Sequence, residues 1–237
     1  MKIELHCHTK YSDDSLLLFH ALYWKCVACG IRYIAITEHN NLRGAEAFAS
    51  FCRKRGNKVS VIKGEEIFTS QGEIIGLFLD SEIEPGLSPE ETILRIREQN
   101  GIVYVPHPYD QKRKKTVLCE EAIQKNRDQI DCIECHNGRN SLEVFGMEQN
   151  AIADKYAITK LIGSDAHTVL EIGRNVIETK DCVLDRDTFL EVIRDGDFVK
   201  KPCLMIAHKI TKIVRAVKMI WKGQLYEVCR ILIKRTE

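Results

Sequence analysis

Short apolar runs alternate with longer amphipathic segments along most of the chain. Short apolar runs are typical of buried strands, and apolar residues spaced three or four positions apart are typical of helices that cover a sheet. The predicted strands are Ile3–Cys7, Tyr33–Thr37, Val59–Ile67, Ile74–Leu79, Ile102–Val105, Cys132–Cys135, Thr159–Ile162 and Val176–Thr179. The predicted helices are Ser15–Cys29, Arg43–Arg55, Ser88–Asn100, Ser141–Lys155 and Asp187–Asp195. This alternation predicts an α/β fold on a largely parallel sheet.

The strand and helix units follow one another without a Pro-, Gly- or Ser-rich linker. Seven or so such units favour one barrel over two separate domains, with the functional site at the carboxyl ends of the strands. A composition of 44% hydrophobic and 29% charged residues excludes fibrous and disordered proteins. The sequence therefore predicts a barrel domain, here assigned to residues 1–207.

The cysteine content and the N-terminal residues indicate a reducing compartment. The chain holds ten cysteines among 237 residues and begins with a charged segment instead of an apolar leader. The pairs Cys26/Cys29 and Cys132/Cys135 have the spacing of zinc-ribbon or redox cysteines, but they fall in apolar stretches that favour core positions. We expect a cytoplasmic protein with free thiols.

The last thirty residues differ from the rest in charge. Residues 208–237 hold eight Lys or Arg and two Glu, a formal charge of +6, so residues 1–207 carry −5 of the net +1. Apolar residues recur at helical spacing among these basic residues, which predicts a basic amphipathic helical tail. Such a tail either packs on the barrel or contacts an anionic membrane surface or an acidic partner. The acidic body argues against strong binding of long nucleic acids.

Five of the eight histidines fall at or just after the ends of predicted strands: His6, His8, His39, His107 and His167. Residues two apart on a strand point the same way, so His6 and His8, like Asp165 and His167, can place two ligands on one side. Imidazole and carboxylate together suit Zn, Mn or Fe. The pattern predicts a centre with more than one divalent ion.

The same residues belong to an ordered set of motifs. They are His-x-His-Thr-x-x-Ser-Asp (6–13), Ile-Thr-Glu-His-Asn (36–40), Gly-x-Glu (64–66), His-Pro (107–108), Ile-Glu-x-x-Asn (133–137) and Ser-Asp-Ala-His (164–167). Together they resemble the PHP (polymerase and histidinol phosphatase) family. The resemblance implies a distorted (βα)7 TIM-like barrel with two or three divalent metal ions that hydrolyse phosphoesters.

The resemblance also implies a ligand set. One ion would take His6, His8, Glu66 and Asp165; a second would share Glu66 and take His107; a third would take Asp13, His39 and His167. Of these residues, His39, Glu66, Asp165 and His167 are expected to act in catalysis. Glu66 is preferred to its neighbour Glu65 because of the Gly-x-Glu pattern, and Glu65 is expected to be solvated. Asp13 also suits the N-terminal cap of the following helix.

Glu73 stands where many relatives place a histidine ligand of the second ion. A carboxylate there would either coordinate the ion and shift the preference from zinc toward Mn or Fe, or leave the site weak. A solvated hairpin position is the alternative. The metal identity is left open among Mn, Zn and Fe.

Candidate substrate contacts come from basic and polar residues after strand ends. Lys112 lies in a basic run after His107, Arg139 and Asn137 lie at the end of the Glu134 strand, and Arg43 begins a predicted helix. We expect a metal-dependent phosphatase or phosphodiesterase that acts on a small metabolite, a nucleotide or a short oligonucleotide. The alternatives are an amidohydrolase acting on C–N bonds and a non-catalytic metal-binding module recruited through its basic tail.

Overall fold

A computed structural model describes residues 1–113 and 115–224 of the protein. The strands are β1 (Lys2–Glu4), β2 (Ile31–His39), β3 (Ser60–Thr69), β4 (Gly72–Leu77), β5 (Ile102–Val105), β6 (Cys132–Asn137), β7 (Thr159–Gly163), β8 (Val176–Glu178) and β9 (Asp197–Val199). The helices are α1 (Phe19–Cys29), α2 (Arg43–Arg53), α3 (Pro89–Glu98), α4 (Glu120–Asn126), α5 (Glu143–Tyr156), α6 (Phe189–Arg194) and α7 (Met205–Trp221), with a 3-10 turn at Arg127–Gln129. The predicted α/β fold is confirmed.

All nine strands form one sheet in the order β7-β6-β5-β4-β3-β2-β1-β8-β9. The sheet curls into a nearly closed barrel because the chain beyond β7 meets the chain beyond β1. There Cys7 and Ala166 form a parallel bridge, with the amide of His8 donating to the carbonyl of Ala166 at 2.8 Å. This closure brings the first and last motifs of the sequence side by side.

The barrel departs from a simple strand and helix repeat at β4. This strand pairs antiparallel with both β3 and β5, whereas β1, β2 and β3 are parallel, as are β5, β6 and β7. Only Ser70 and Gln71 separate β3 from β4. A connection this short makes a hairpin and cannot make a parallel crossover. The hairpin of β3 and β4 is therefore where this barrel departs from a regular TIM-like barrel, in agreement with the expected distortion.

Local signals set most helix ends. Ser88 and Glu91 form a capping box at the start of α3, and Gly30 ends α1 in the left-handed conformation with φ of 73°. Helix α1 begins at Phe19, four residues later than predicted. The Ser15 hydroxyl lies 2.9 Å from the carbonyl oxygens of both His8 and His167, which holds this segment out of the helix.

Three clusters of buried apolar side chains lie in the sheet and between the sheet and its helices. The nine cysteines that the structure describes are free, and Cys26 and Cys132 are fully buried, as expected of core residues. Over residues 1–113 and 115–224, no helix is both long and apolar enough to cross a lipid bilayer.

The basic tail begins as α7, which packs against the rim of the barrel. The helix starts at Met205, so the expected boundary at residue 207 falls inside it; the part of the tail from residue 225 onward lies outside the described residues. The Lys218 ammonium donates to the carbonyl oxygens of Lys10, Ser12 and Ser15 at 2.9, 2.6 and 2.7 Å. These bonds fix α7 on the loop between β1 and α1.

We predict that Lys218→Met lowers the free energy of unfolding by about 1–2 kcal/mol, since hydrogen bonds from a charged donor are lost from a partly exposed site. Urea unfolding measures the change, and hydrogen exchange should show faster exchange within residues 9–18. The exposed Lys212 on the same helix is the matched control, and Lys212→Met should alter neither quantity. Equal behaviour of the two variants would contradict the tethering role of Lys218.

Candidate metal centre

Eight of the nine predicted metal ligands come together at the carboxyl-end edge of the barrel. They are His6, His8, His39, Glu66, Glu73, His107, Asp165 and His167. Seven of them are buried, and only His39 is partly open, with 30% of its side chain exposed. Strand ends from all round the barrel contribute, which explains why ligands far apart in sequence meet.

The Glu66 carboxylate lies at the middle of this group. Its oxygens are 2.9 Å from Nδ1 of His39, 3.0 Å from Nε2 of His107, and 3.4 Å from the Nε2 atoms of His6 and His8. Burial favours the neutral acid, but His6 and His39 outweigh it and hold the pKa of Glu66 well below its usual range. An ionised carboxylate surrounded by four imidazoles is suited to bridge two metal ions.

Glu65 faces the opposite way, as the strand alternation predicts, but it is not solvated. Its side chain is fully buried, and one oxygen accepts a hydrogen bond from the Ile83 amide at 3.0 Å. Burial raises the pKa of Glu65 to about 7. The expectation of a solvated residue was wrong because the segment after β4 covers this face of β3.

Asp165 supplies the second central carboxylate, on the seam that closes the barrel. Its Oδ1 lies 3.7 Å from Nε2 of His6, 3.5 Å from Nε2 of His8 and 3.5 Å from Nδ1 of His167. The residue adopts a left-handed backbone with φ of 51°, a conformation uncommon outside glycine and found at functional sites. Burial is outweighed by Arg113 and His6, which keep the pKa of Asp165 well below its usual range.

Glu73 lies inside the centre and not at a solvated hairpin position. In β4 it is buried, with carboxylate oxygens 3.8 Å from Nδ1 of His39 and 3.5 Å from Nε2 of His107. Burial, and next the charge of Glu66, raise the pKa of Glu73 to about 8. The ligand oxygens of Glu66 and Glu73 lie within 4.8 Å of each other, so both carboxylates can be ionised only with a compensating cation nearby.

Asp13 is the one predicted ligand that the structure places elsewhere. Its side chain is 66% exposed and pairs with the Lys222 ammonium at 2.6 Å. The carboxylate that reaches the centre belongs to Asp14, with Oδ1 3.2 Å from Nε2 of His167 and 3.6 Å from Nε2 of His39. The loop conformation, held by α7, turns the second aspartate inward and the first outward.

Of the four predicted substrate contacts, one lies in the centre, one is buried in a separate network and two lie on the surface. Asn137 is in the centre, with its amide nitrogen 2.8 Å from Glu134 and 3.4 Å from Asp165. Arg139 is buried in a structural network: its guanidinium lies 3.0 Å from Glu171 and donates to Thr211 of α7 at 2.7 Å. These contacts hold the Arg139 guanidinium away from the ligand cluster.

The other two lie on the surface. Arg43 is exposed at the start of α2, and Lys112 is exposed with its ammonium 2.7 Å from the hydroxyl of Ser141. The basic side chain that enters the centre is the next one, Arg113, which bonds Asp165 and lies 3.0 Å from Asp110. The basic run after His107 signalled this contact, but sequence alone did not say which of its residues turns inward.

Glu134 holds two of the ligands in position from β6. Oε1 lies 3.1 Å from Nδ1 of His6 and accepts a hydrogen bond from the Tyr104 hydroxyl, while Oε2 accepts from the backbone amide of His107 at 2.6 Å. Orienting bonds of this kind fix which ring nitrogen faces a metal. Gly163 makes room for this carboxylate, since a Cβ there would lie 2.0 Å from Oε1 of Glu134.

The donor atoms fit a cluster of divalent ions. Three overlapping groups have ligand atoms within 4.8 Å of one another: His6, His8 and Glu66; His39, Glu66 and Glu73; and His8, His39 and His167. Burial and the neighbouring imidazoles lower the pKa of His8 to about 3, so His8 is neutral, the form that binds metals. Oδ1 of Asp14 is buried and, within the described residues, accepts no hydrogen bond. A cation would satisfy this oxygen.

Two proteins of Methanocaldococcus jannaschii are similar to this chain in sequence. The chain is 32% identical over 188 residues to the uncharacterized protein MJ0417 of Methanocaldococcus jannaschii, covering 78% of this chain and 73% of that protein. It is 44% identical over 119 residues to the uncharacterized protein MJ1587 of the same organism, covering 46% of this chain and 68% of that protein.

Solved structures share the fold at low sequence identity. One is a two-domain protein from Bacteroides vulgatus containing a predicted PHP-like metal-dependent phosphoesterase, with a TM-score of 0.64 and 18% identity. That match covers 84% of this chain and 64% of the other, so this chain spans less than two thirds of that protein. Another is an amidohydrolase from Chromobacterium violaceum with bound sulfate and no metal, with a TM-score of 0.57, 16% identity, and coverage of 89% and 96%.

The family model of the PHP domain matches residues 4–175. This range contains every motif described above and runs from β1, through the closing seam of the barrel, to the residue before β8. The chain therefore belongs to the PHP family.

Proposed function

We propose that the protein is a metal-dependent hydrolase of phosphoesters. The observation that carries this proposal is the cluster of five histidines and four carboxylates at one barrel edge, with Arg113 joined to its Asp165 side. A phosphate ester is anionic, so its hydrolysis depends mainly on positioning and on neutralising charge. A site with ligands for several cations and an arginine at its border supplies both.

Divalent ions bound here would neutralise the phosphate and make water acidic enough to attack it near neutral pH. His6, His8, Glu66 and Asp165 would hold one ion, Glu66, Glu73 and His107 a second, and Asp14, His39 and His167 a third. Glu134 keeps His6 oriented through its bond to Nδ1. His39 is the most open of the ligands, at 30% exposure, and so lies where the substrate approaches.

Arg113 is the residue we assign to the phosphate. Its guanidinium pairs with Asp165 and Asp110, and its side chain is 24% exposed. Ions bound at Asp165 would compete for that carboxylate, leaving guanidinium donors for a phosphate oxygen. Arginine suits this role because its planar fork of donors matches phosphate geometry. The substrate class we propose is a phosphorylated small metabolite, a nucleotide or a short oligonucleotide.

An amidohydrolase acting on C–N bonds is the second candidate, favoured by the fold shared with the Chromobacterium violaceum structure. A lysine ligand late on a strand would favour that class, and in the described part of the chain the ion pairs of Glu66 and Asp165 involve histidines and Arg113 but no lysine. A non-catalytic metal-binding module is the third. The nearly complete set of metal-binding side chains supports an enzyme over a non-catalytic module.

The first prediction of this proposal concerns ester turnover. The purified protein with Mn²⁺ should hydrolyse p-nitrophenyl phosphate or its bis-ester, and the preferred ester separates a monoesterase from a diesterase. Removing metal with a chelator should abolish turnover, and Asp165→Asn should lower it by at least about 100-fold, since a central charge is lost. Wild-type turnover in Asp165→Asn would contradict the assigned centre.

Adjacent aspartates provide a matched pair for the third ion. Asp14→Asn should lower the affinity for one ion by at least about 10–100-fold, since loss of a side chain that only orients a ligand already costs that much, whereas Asp13→Asn should leave binding unchanged because its carboxylate faces Lys222. Elemental analysis after dialysis measures the ions bound per chain. Loss of an ion in Asp13→Asn instead would show that the loop turns the other way in the loaded protein.

A second matched pair addresses phosphate binding. Arg113→Met should raise KM and the inhibition constant of inorganic phosphate by about 10- to 100-fold, as expected for losing a charged hydrogen bond. Lys112→Met should change neither, since that ammonium contacts Ser141. Elemental analysis of both variants shows whether the metal content is intact. An unchanged phosphate inhibition constant in Arg113→Met would remove this residue from the substrate site.

A further inference from the structure

Helix α7 presents one face to the barrel and a different, apolar face to solvent. The face toward the barrel contains Ala207, which is fully buried, with Thr211 and Val214 nearly so, and ends in the tethered Lys218. At about 100° per residue, these four positions lie within an arc of about 60°. The helix is therefore fixed in orientation, and its outer face is a defined surface.

The outer face carries five large apolar side chains, here called the α7 stripe. They are Ile206, Ile213, Val217, Ile220 and Trp221, with exposed fractions of 54%, 64%, 41%, 44% and 87%. Helical geometry places them within an arc of about 100°. Single exposed apolar residues are common on soluble proteins, but a continuous row of this kind marks an interaction surface.

Other exposed apolar side chains lie on two loops that are hydrogen-bonded to α7 or to the segment just before it. Leu16 and Leu18 are exposed on the segment that Lys218 holds through Ser15. Val169 and Leu170 are exposed on the loop after His167, which is joined to the start of α7 by a bond from Arg174 to the carbonyl of Pro202. With Met205 and the α7 stripe, these residues make up ten of the seventeen large apolar side chains exposed in the described part of the chain.

The basic residues beside the α7 stripe indicate the kind of partner that binds it. The seventeen residues of α7 include no Asp or Glu, and Lys209 and Lys212 lie about 60° and 120° around the helix from Ile206, on the side away from the barrel. A second copy docked by two-fold symmetry would bring these basic margins together, which is unfavourable. An apolar stripe ending in Trp221 beside lysines is typical of a helix lying in an anionic membrane surface.

We propose that the α7 stripe docks on the surface of an anionic lipid bilayer. The helix lies flat, its apolar side chains enter the boundary between headgroups and acyl chains, and Lys209 and Lys212 contact lipid phosphates or carboxylates. The contacts of Lys218 and Lys222 with the loop between β1 and α1 hold the helix against the barrel while the helix binds the bilayer. This docking is independent of the reaction at the metal centre.

Vesicle flotation of the full chain tests the proposal, using phosphatidylcholine vesicles with and without 30% phosphatidylserine. We expect binding only to the anionic vesicles, and weaker binding at high salt, since the lysine contacts are screened. Ile213→Asp and Trp221→Asp should each reduce the bound fraction by roughly tenfold or more, since a carboxylate replaces an apolar group at the lipid boundary. The matched control is Leu94→Asp on α3, an apolar residue with 52% exposure, which should bind like the wild type.

A second readout reports directly on the docked residue. In a Trp24→Phe protein, Trp221 is the only tryptophan, and its fluorescence should shift to the blue with anionic vesicles alone. No binding by the wild type, or full binding by Ile213→Asp, would overturn the proposal. It would equally fail if Ile213→Asp converted a solution dimer to a monomer, or if the wild type bound polyglutamate but not vesicles.

Discussion

A buried carboxylate that must remain charged is the constraint on which the site depends. Glu66 is 1% exposed, and moving an ionised carboxylate out of water is costly unless cations or hydrogen bonds compensate it. The compensation here comes from the imidazoles of His6, His39 and His107 on three other strand ends, at 2.9–3.4 Å. These imidazoles meet only when the sheet curls, so the closure at Cys7 and Ala166 and the electrostatics of the centre require each other.

The ligand set was predicted from the resemblance to the PHP family, but the fold and the convergence of the strand-end residues were predicted for one physical reason. Parallel strands end at a common edge, so residues at those ends converge whatever their separation along the chain. That rule needs no side-chain detail, and it correctly brought His6, His107 and Asp165 together. The strand period of two allows only one of Glu65 and Glu66 to face the centre, and the Gly-x-Glu motif of the family resemblance indicated Glu66. Neither revealed that Glu65 is buried by the segment containing Ile83.

Prediction from sequence was less successful in the loops, where no period fixes the direction of a side chain. Asp13 and Asp14, like Lys112 and Arg113, are neighbours of similar chemistry, and the structure uses the second of each pair. The selection comes from contacts distant in sequence. Lys218 bonds the carbonyls of Lys10, Ser12 and Ser15, and this loop conformation turns Asp14 toward His167. Local sequence does not contain that information.

The C-terminal helix therefore belongs to the architecture of the centre, although it lies outside the ligand motifs. Through Thr211 it meets Arg139, two residues beyond Asn137, and through Lys218 it holds the loop of Asp14. Two lysines at the end of this helix serve the attachment: the Lys218 ammonium binds three carbonyl oxygens of the loop between β1 and α1, and Lys222 pairs with Asp13. Lys209 and Lys212 lie on other faces of the helix, where attraction to the barrel does not explain them, and this difference is the basis for proposing an anionic surface outside the molecule as their partner.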